Sequence, residues 1–154
     1  MRRTAGFSIM ELLTVLALVV LLASIAIPPL ARIREAAAVD SGRSQVTAAL
    51  SLSRSAGSRW GRTAVLLIDT VQDVLTLRVD TTGLFGTAEY LVVREFWLGA
   101  DLGVDLGADR SAICFNSRGV GTIGPECPET GALITLKDSE RVDTIRINSA
   151  GRVW

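Results

Sequence analysis

Between Arg3 and Arg32 the chain carries a single charged side chain, Glu11. Across residues 12–31, twenty consecutive positions are uncharged, reading LLTVLALVVLLASIAIPPLA. As a helix rising about 1.5 Å per residue, that run spans roughly 30 Å, the thickness of a bilayer's hydrocarbon core. A chain of 154 residues folding only in water would not normally gather its aliphatic side chains into one terminal block. Arg2 and Arg3 precede the block, so the N-terminus is expected on the cytoplasmic side and the remainder across the membrane.

Three readings fit a basic start followed by an apolar run. One is a secretory signal cut after Ala26, behind the small residues Ser24 and Ala26, which would release an ordinary soluble domain. The second is a plain single-pass anchor. The third is a signal cut ahead of the run, so that the run is kept. Glu11 separates them. A carboxylate inside a membrane helix costs about 2.5–3.5 kcal/mol on insertion scales and calls for a partner, and neither of the first two readings has a use for one.

The segment Gly6-Phe7-Ser8-Ile9-Met10-Glu11-Leu12-Leu13 resembles the G-F-T-L-I-E-L-L start of type IV pilins and type II secretion pseudopilins. Ser8, Ile9 and Met10 are conservative departures from it. The resemblance implies cleavage after Gly6 by a prepilin peptidase and N-methylation of the new N-terminus, Phe7. It implies a structural role for Glu11, the fifth residue after the cut. The implied partners are other major and minor pilins or pseudopilins, an inner-membrane assembly platform and the inner membrane itself. A protonated α-amine on Phe7 gives the carboxylate a purpose, because a buried amine and a buried carboxylate are each costly alone and tolerable as a pair. In the assembly that the resemblance implies, a neighbour displaced by one step presents its Glu11 to the incoming Phe7.

The expected segments are a cleaved leader over residues 1–6, a membrane and assembly half-helix over 7–31, an amphipathic half-helix over 32–60 and a β-rich head over 61–154. Pro28 and Pro29 either bend the helix or end its membrane part. Val39, Gly42, Val46, Ala49, Leu50 and Ser53 recur at helical spacing and predict one buried face. Beyond Gly57 and Gly61 the pattern turns to short apolar or alternating runs. Strands are expected at Ala64–Asp69, Val74–Asp80, Tyr90–Trp97, 112–116, 133–137 and 144–148. Links are expected at Thr-Thr-Gly 81–83, across the Gly/Asp-rich stretch 99–109 and at Gly124-Pro125. The fold class is α+β, a long hydrophobic N-terminal helix packed on an antiparallel β-rich head. Residues 46–69, the turn Phe115-Asn116-Ser117-Arg118-Gly119 and the end Ser149-Ala150-Gly151-Arg152 resemble the GspH/FimT branch of minor pilins and pseudopilins.

Charge is unevenly placed although the net charge is zero. Residues 32–62 hold six arginines against Glu35 and Asp40, a balance of +4, whereas residues 63–154 stand at −5. A basic helix and an acidic head point to complementary faces between stacked subunits or to a solvated helix.

The absence of histidine removes Ser–His–Asp and Cys–His chemistry and imidazole metal ligands. No phosphate-binding loop or nucleophile elbow is present, so no enzyme activity and no cofactor is expected. Asp101, Asp105 and Asp109 do not match a calcium loop, and a polar mobile loop is expected there rather than a metal site. Cys114 and Cys127 are the only cysteines. Outside the cytoplasm they are free to form a disulfide; otherwise they are two thiols with Cys114 buried on a strand. Some relatives of the FimT type bind DNA through a C-terminal Gly-Arg-x-Arg motif. Here it reads Gly151-Arg152-Val153-Trp154, with tryptophan in place of the second arginine. Arg146 and Arg152, with Arg141 nearby, are the candidate DNA contacts, opposed by the head's acidic balance. The expected function is a minor subunit that primes or caps the tip of a type IV pilus or type II secretion pseudopilus.

Overall fold

The structure, a computed structural model, describes residues 8–81, 89–139 and 141–154, and the side chains of all of these except 26–33 and 35. Gly6, Phe7 and most of the 81–83 link therefore lie outside the described residues. The chain divides into two compact units, Met1–Arg34 and Glu35–Trp154.

In the first unit, helix α1 (Ile9–Trp60) begins one residue after Ser8 and is uninterrupted at residues 28 and 29, so the proline pair does not end it. Every apolar side chain described from Ile9 to Ile25 is exposed or half-exposed. The hydroxyls among them bond back to the helix: Thr14 Oγ1 lies 3.0 Å from the Met10 carbonyl oxygen, and Ser24 Oγ donates to that of Leu21 at 2.7 Å. That leaves the outside of the helix without an unsatisfied hydroxyl, which an apolar surrounding requires. Among the described residues no helix is long and apolar enough to cross a membrane. The described apolar side chains stop at residue 25, about 25 Å along the helix at 1.5 Å per residue.

In the second unit, the remainder of α1 buries Val39, Gly42, Val46, Ala49, Leu50 and Ser53, the stripe expected from spacing. Ser53 is buried without penalty because its Oγ bonds the Ala49 carbonyl oxygen at 2.7 Å. Gly61, at φ +63, terminates the helix in the left-handed region. The chain then enters β1 (Ala64–Asp69), β2 (Val74–Asp80) and β3 (Tyr90–Trp97), followed by α2 (Leu98–Leu102), β4 (Asp105–Ala108), β5 (Ala112–Phe115), β6 (Gly121–Thr122), β7 (Ala132–Lys137) and β8 (Val142–Ile147). Two antiparallel sheets result, one ordered β3-β2-β1-β5-β6 and the other β4-β7-β8. One core joins both sheets to α1, through Leu66, Leu77 and Phe115 of the first and Ile134, Leu136 and Ile145 of the second.

Strand β1 is buried on both faces, which is why it reads as a continuous apolar run rather than an alternation. Ala64, Leu66 and Ile68 join the main core, while Val65 and Leu67 join a second cluster on the opposite face of the sheet.

The stretch 99–109 is not the polar loop expected from its composition. It forms α2, capped by Gly103 at φ +69, and then β4, whose four residues pair with β7. Glycine and aspartate have poor strand propensity. Here tertiary contacts override it, because Leu106 is buried and its N–H is bonded by the Asp73 carboxylate at 2.7 Å.

Candidate functional site

Glu11 stands in the first turn of α1. A helix dipole favours an acid in that position by about 0.3–1 kcal/mol. The insertion cost of about 2.5–3.5 kcal/mol is larger, so the helix's own field does not account for the residue. Gly6 and Phe7 are not among the described residues, so the structure brings neither to Glu11.

Cys114 and Cys127 form a disulfide with their Cα atoms 5.9 Å apart. Cys114 lies across from Val65 of β1 and from Thr122 of β6. With Val65 and Ala112 the two sulfurs make the small cluster covering the sheet face turned away from α1. The same face carries Arg78, whose guanidinium sits 4.6 Å from the Tyr90 ring centroid and 2.7 Å from a Glu126 carboxylate oxygen. Burial, then the negative charges of Glu126 and Asp80, raise the Tyr90 hydroxyl pKa above its ordinary value. This cluster ties the disulfide loop to the sheet by covalent, apolar and ionic contacts together.

Arg146 and Arg152 come to one face, and Trp154 joins them there. Ile147 bridges Val153, and the Trp154 N–H donates to the Arg146 carbonyl oxygen at 2.9 Å. By strand alternation Ile147 and Val153 turn inward, and Arg146, Arg152 and Trp154 turn out. All three are exposed. Arg146 shares its groove with Asp109 and Arg110, and Arg110 is paired with Glu129. An acid beside Arg146 weakens its hold on phosphate. Arg141 is not available to this face, because it pairs with Asp40 of α1 at 3.1 Å.

Part of the charge complementarity between helix and head is used inside one molecule. Besides Asp40–Arg141, Arg43 of α1 pairs with Asp143 of β8 at 2.7 Å. That hydrogen bond, with the positive charge of Arg43 behind it, holds the Asp143 carboxyl below its ordinary range. A lowered folded-state value means the pair stabilises above the unfolded pKa, near 4, and the contribution is lost as pH falls through the folded value. Chemical denaturation of wild type and Asp143→Asn is therefore expected to show a gap at pH 6 that closes below about pH 4. With Arg43 substantially exposed, the gap at pH 6 is expected below about 1 kcal/mol.

Two turns share a signature, Asn116-Ser117-Arg118-Gly119, which was expected as a turn, and Asn148-Ser149-Ala150-Gly151, which was not. In each, the asparagine Oδ1 accepts a backbone N–H four residues on, from Val120 at 3.2 Å and Arg152 at 2.8 Å. In each, the glycine N–H returns to the asparagine carbonyl oxygen at 2.8 Å with φ +70 or +77. The repeated Asn-Ser-x-Gly was the available signal. Asp73 also went unnoticed. At φ +54 it closes the β1–β2 link, its carbonyl oxygen accepts from the Leu98 N–H and its carboxylate from that of Leu106.

Gly151 has a steric role independent of any ligand. A Cβ there meets the ring of Phe115, which is fully buried. Gly151→Ala combines that overlap with an unfavourable φ and is expected to cost about 2 kcal/mol, read as a lowered denaturation midpoint.

Among the described residues no group of three or more Cys, Asp or Glu side chains is placed to hold a metal ion. Asp101, Asp105 and Asp109 are divided between α2, β4 and the segment after it.

No protein-family model and no curated protein sequence matches the chain. Two solved structures of the type IV minor pilin FimU of Pseudomonas aeruginosa, from two crystal forms, resemble it. In the P21 form the TM-score is 0.55 at 16% identity, over 82% of this chain and 91% of that one. In the P65 form it is 0.53 at 15% identity, over 75% and 90%. The chain therefore has a pilin-like α+β fold, an N-terminal helix packed on antiparallel sheet.

Proposed function

We propose that the chain is a minor subunit of a type IV pilus or type II secretion pseudopilus. It is made as a precursor, cut after Gly6 and held in the inner membrane by the apolar part of α1, with the head outside the cytoplasm. It then enters a thin filament near the tip, where its work is structural, priming or capping, with other pilins or pseudopilins as neighbours and an assembly platform beneath. The observation that carries this reading is a lone carboxylate, Glu11, in an apolar helix belonging to a pilin-like fold. A carboxylate there is rational when another copy's N-terminal amine meets it.

N-terminal sequencing and mass measurement of the mature protein from membranes test the proposal. The expected start is Phe7 carrying one added methyl group. A start at Ile27 would identify a secreted soluble domain instead, and an uncut Met1 a plain anchor.

A second reading, a minor pilin that binds DNA for uptake, is favoured by the shared outward face of Arg146, Arg152 and Trp154. Phosphate contact by the arginines and stacking on Trp154 would be its chemistry. Asp109 in the Arg146 groove weighs against it, and the filament reading is preferred.

A further inference from the structure

The head carries a group of arginines at one end and two exposed aspartates at the other. One end is built from the last turns of α1 and the two Asn-Ser-x-Gly turns. The position a Cβ would take on Gly57 lies 2.7 Å from the Asn116 carbonyl oxygen, that on Gly119 lies 3.1 Å from the Arg54 carbonyl oxygen, and Arg54 Nη2 donates to the Ala150 carbonyl oxygen at 3.2 Å. Residues 53–62, 116–121 and 148–154 contain no acidic side chain. They contribute Arg54, Arg59, Arg62, Arg118 and Arg152, of which all but Arg54 are exposed. Trp60, 47% exposed, lies in the same segments.

The other end is acidic. Strands β1 and β2 run from the register pair Ala64–Val79 beside the arginine end to Asp69–Val74 at the far end. Asp73 there binds the starts of α2 and β4, which brings Asp101 and Asp105, both exposed, to that end. The helix gives the same separation. The Cβ position of Gly42 lies 3.6 Å from Leu98 and 3.8 Å from Val104, and residue 42 stands about 25 Å along α1 from Arg59 at 1.5 Å per residue. Of the cations near that end, Arg43 is engaged by Asp143 and Arg141 by Asp40, while Lys137 stands opposite Asp105 across the strands and Arg94 lines a groove with Asp101.

We infer that the arginine end of one head docks on the acidic end of a second copy of this chain, Arg59 and Arg62 facing Asp101 and Asp105. The inference rests on the filament reading and adds the surfaces through which heads meet. Complementarity is what selects this occupant, because the chain carries both halves and keeps them too far apart to neutralise each other within one head. Unlike patches meeting head to tail make a heterologous contact, which repeats along a line instead of closing into a dimer.

The test uses the full chain in detergent, tagged and untagged copies mixed and captured. Wild-type capture is expected to fall about ten-fold between about 50 and about 500 mM salt. Arg59→Glu/Arg62→Glu and Asp101→Arg/Asp105→Arg are each expected to lose self-capture, and an equimolar mixture of the two to regain it. Regained capture also establishes that both variants are folded. Either variant capturing itself as wild type does, a mixture that stays apart, or wild-type capture that salt does not change would overturn the inference. So would the absence of wild-type capture at low salt. Retention of duplex DNA at low salt, lost in Arg59→Glu/Arg62→Glu while copies stay apart, would overturn it in favour of a nucleic-acid partner. The N-terminal sequence and entry into filaments are read separately. A mature chain that begins at Phe7 while its heads fail to meet leaves the filament reading standing and removes this inference alone.

Discussion

Glu11→Ala is expected to leave cleavage after Gly6 and membrane insertion intact and to remove the chain from filaments. Insertion becomes easier, because the substitution relieves a penalty of about 2.5–3.5 kcal/mol. Entry into a filament instead loses the carboxylate proposed to meet the Phe7 amine. Breaking a buried pair by removing one partner costs about 3–5 kcal/mol, because the other charge is left buried and uncompensated. At about 1.4 kcal/mol per factor of ten, incorporation should fall at least 100-fold if the amine is fully buried, and about ten-fold if lipid headgroups reach it. The measurement is the ratio of the chain in sheared filaments to the chain in membranes. Equal ratios for wild type and variant, with normal maturation, would remove the pairing argument and with it the use assigned to Glu11. Glu11→Gln separates charge from shape. It keeps the side-chain length and should behave as alanine does.

Replacing both cysteines, Cys114→Ser with Cys127→Ser, is expected to destabilise the head by about 3 kcal/mol, the chain-entropy value for closing a loop near 15 residues. The two are 13 positions apart, which places the loop in that range. For a domain of this size the loss corresponds to a fall in melting temperature on the order of 10 °C. The structure also says where the damage falls. The sulfurs lie in the small cluster with Val65 and Ala112, and the main core between α1 and the two sheets does not include them. The loop from 116 to 126 is therefore expected to loosen while the sheet persists, seen as faster amide exchange in β6 with little change in β1 and β2. Uniform loss of protection across the head would show that the loop is integral to the main core. Reduction of the wild-type chain should reproduce the double variant.

Much of the head was legible because its residues obey local rules. The bounds of β1, β2 and β3 follow from apolar runs bracketed by turn residues, and the buried stripe of α1 follows from helical spacing. Strand β4 was not legible. Its sequence, DLGA, has no strand preference of its own, and it exists because β7 pairs with it and Asp73 holds Leu106. The Gly-Asp-rich composition argued for a loop, and tertiary hydrogen bonds decided otherwise. The paired Asn-Ser-x-Gly turns were present in the sequence as a repeat, but nothing local revealed that both would close against the end of α1.

The candidate assembly residue was legible for a different reason. Glu11 is conspicuous because it breaks a rule, and the energetic cost of breaking it does not depend on the fold. A charge in an apolar run is a linear property of the chain. So are the apolar block, the acidic head with its basic helix, and the lack of histidine chemistry. Tertiary structure alone decided which charges remain free. Arg43, Asp143, Asp40 and Arg141 cancel in pairs about 100 positions apart, and no sequence pattern predicts such partners. The arginines at the end of α1 share that end with the two Asn-Ser-x-Gly turns only because distant segments fold beside them. Composition counts charges, but electrostatic effect depends on distance, and distance is set when the chain closes on itself.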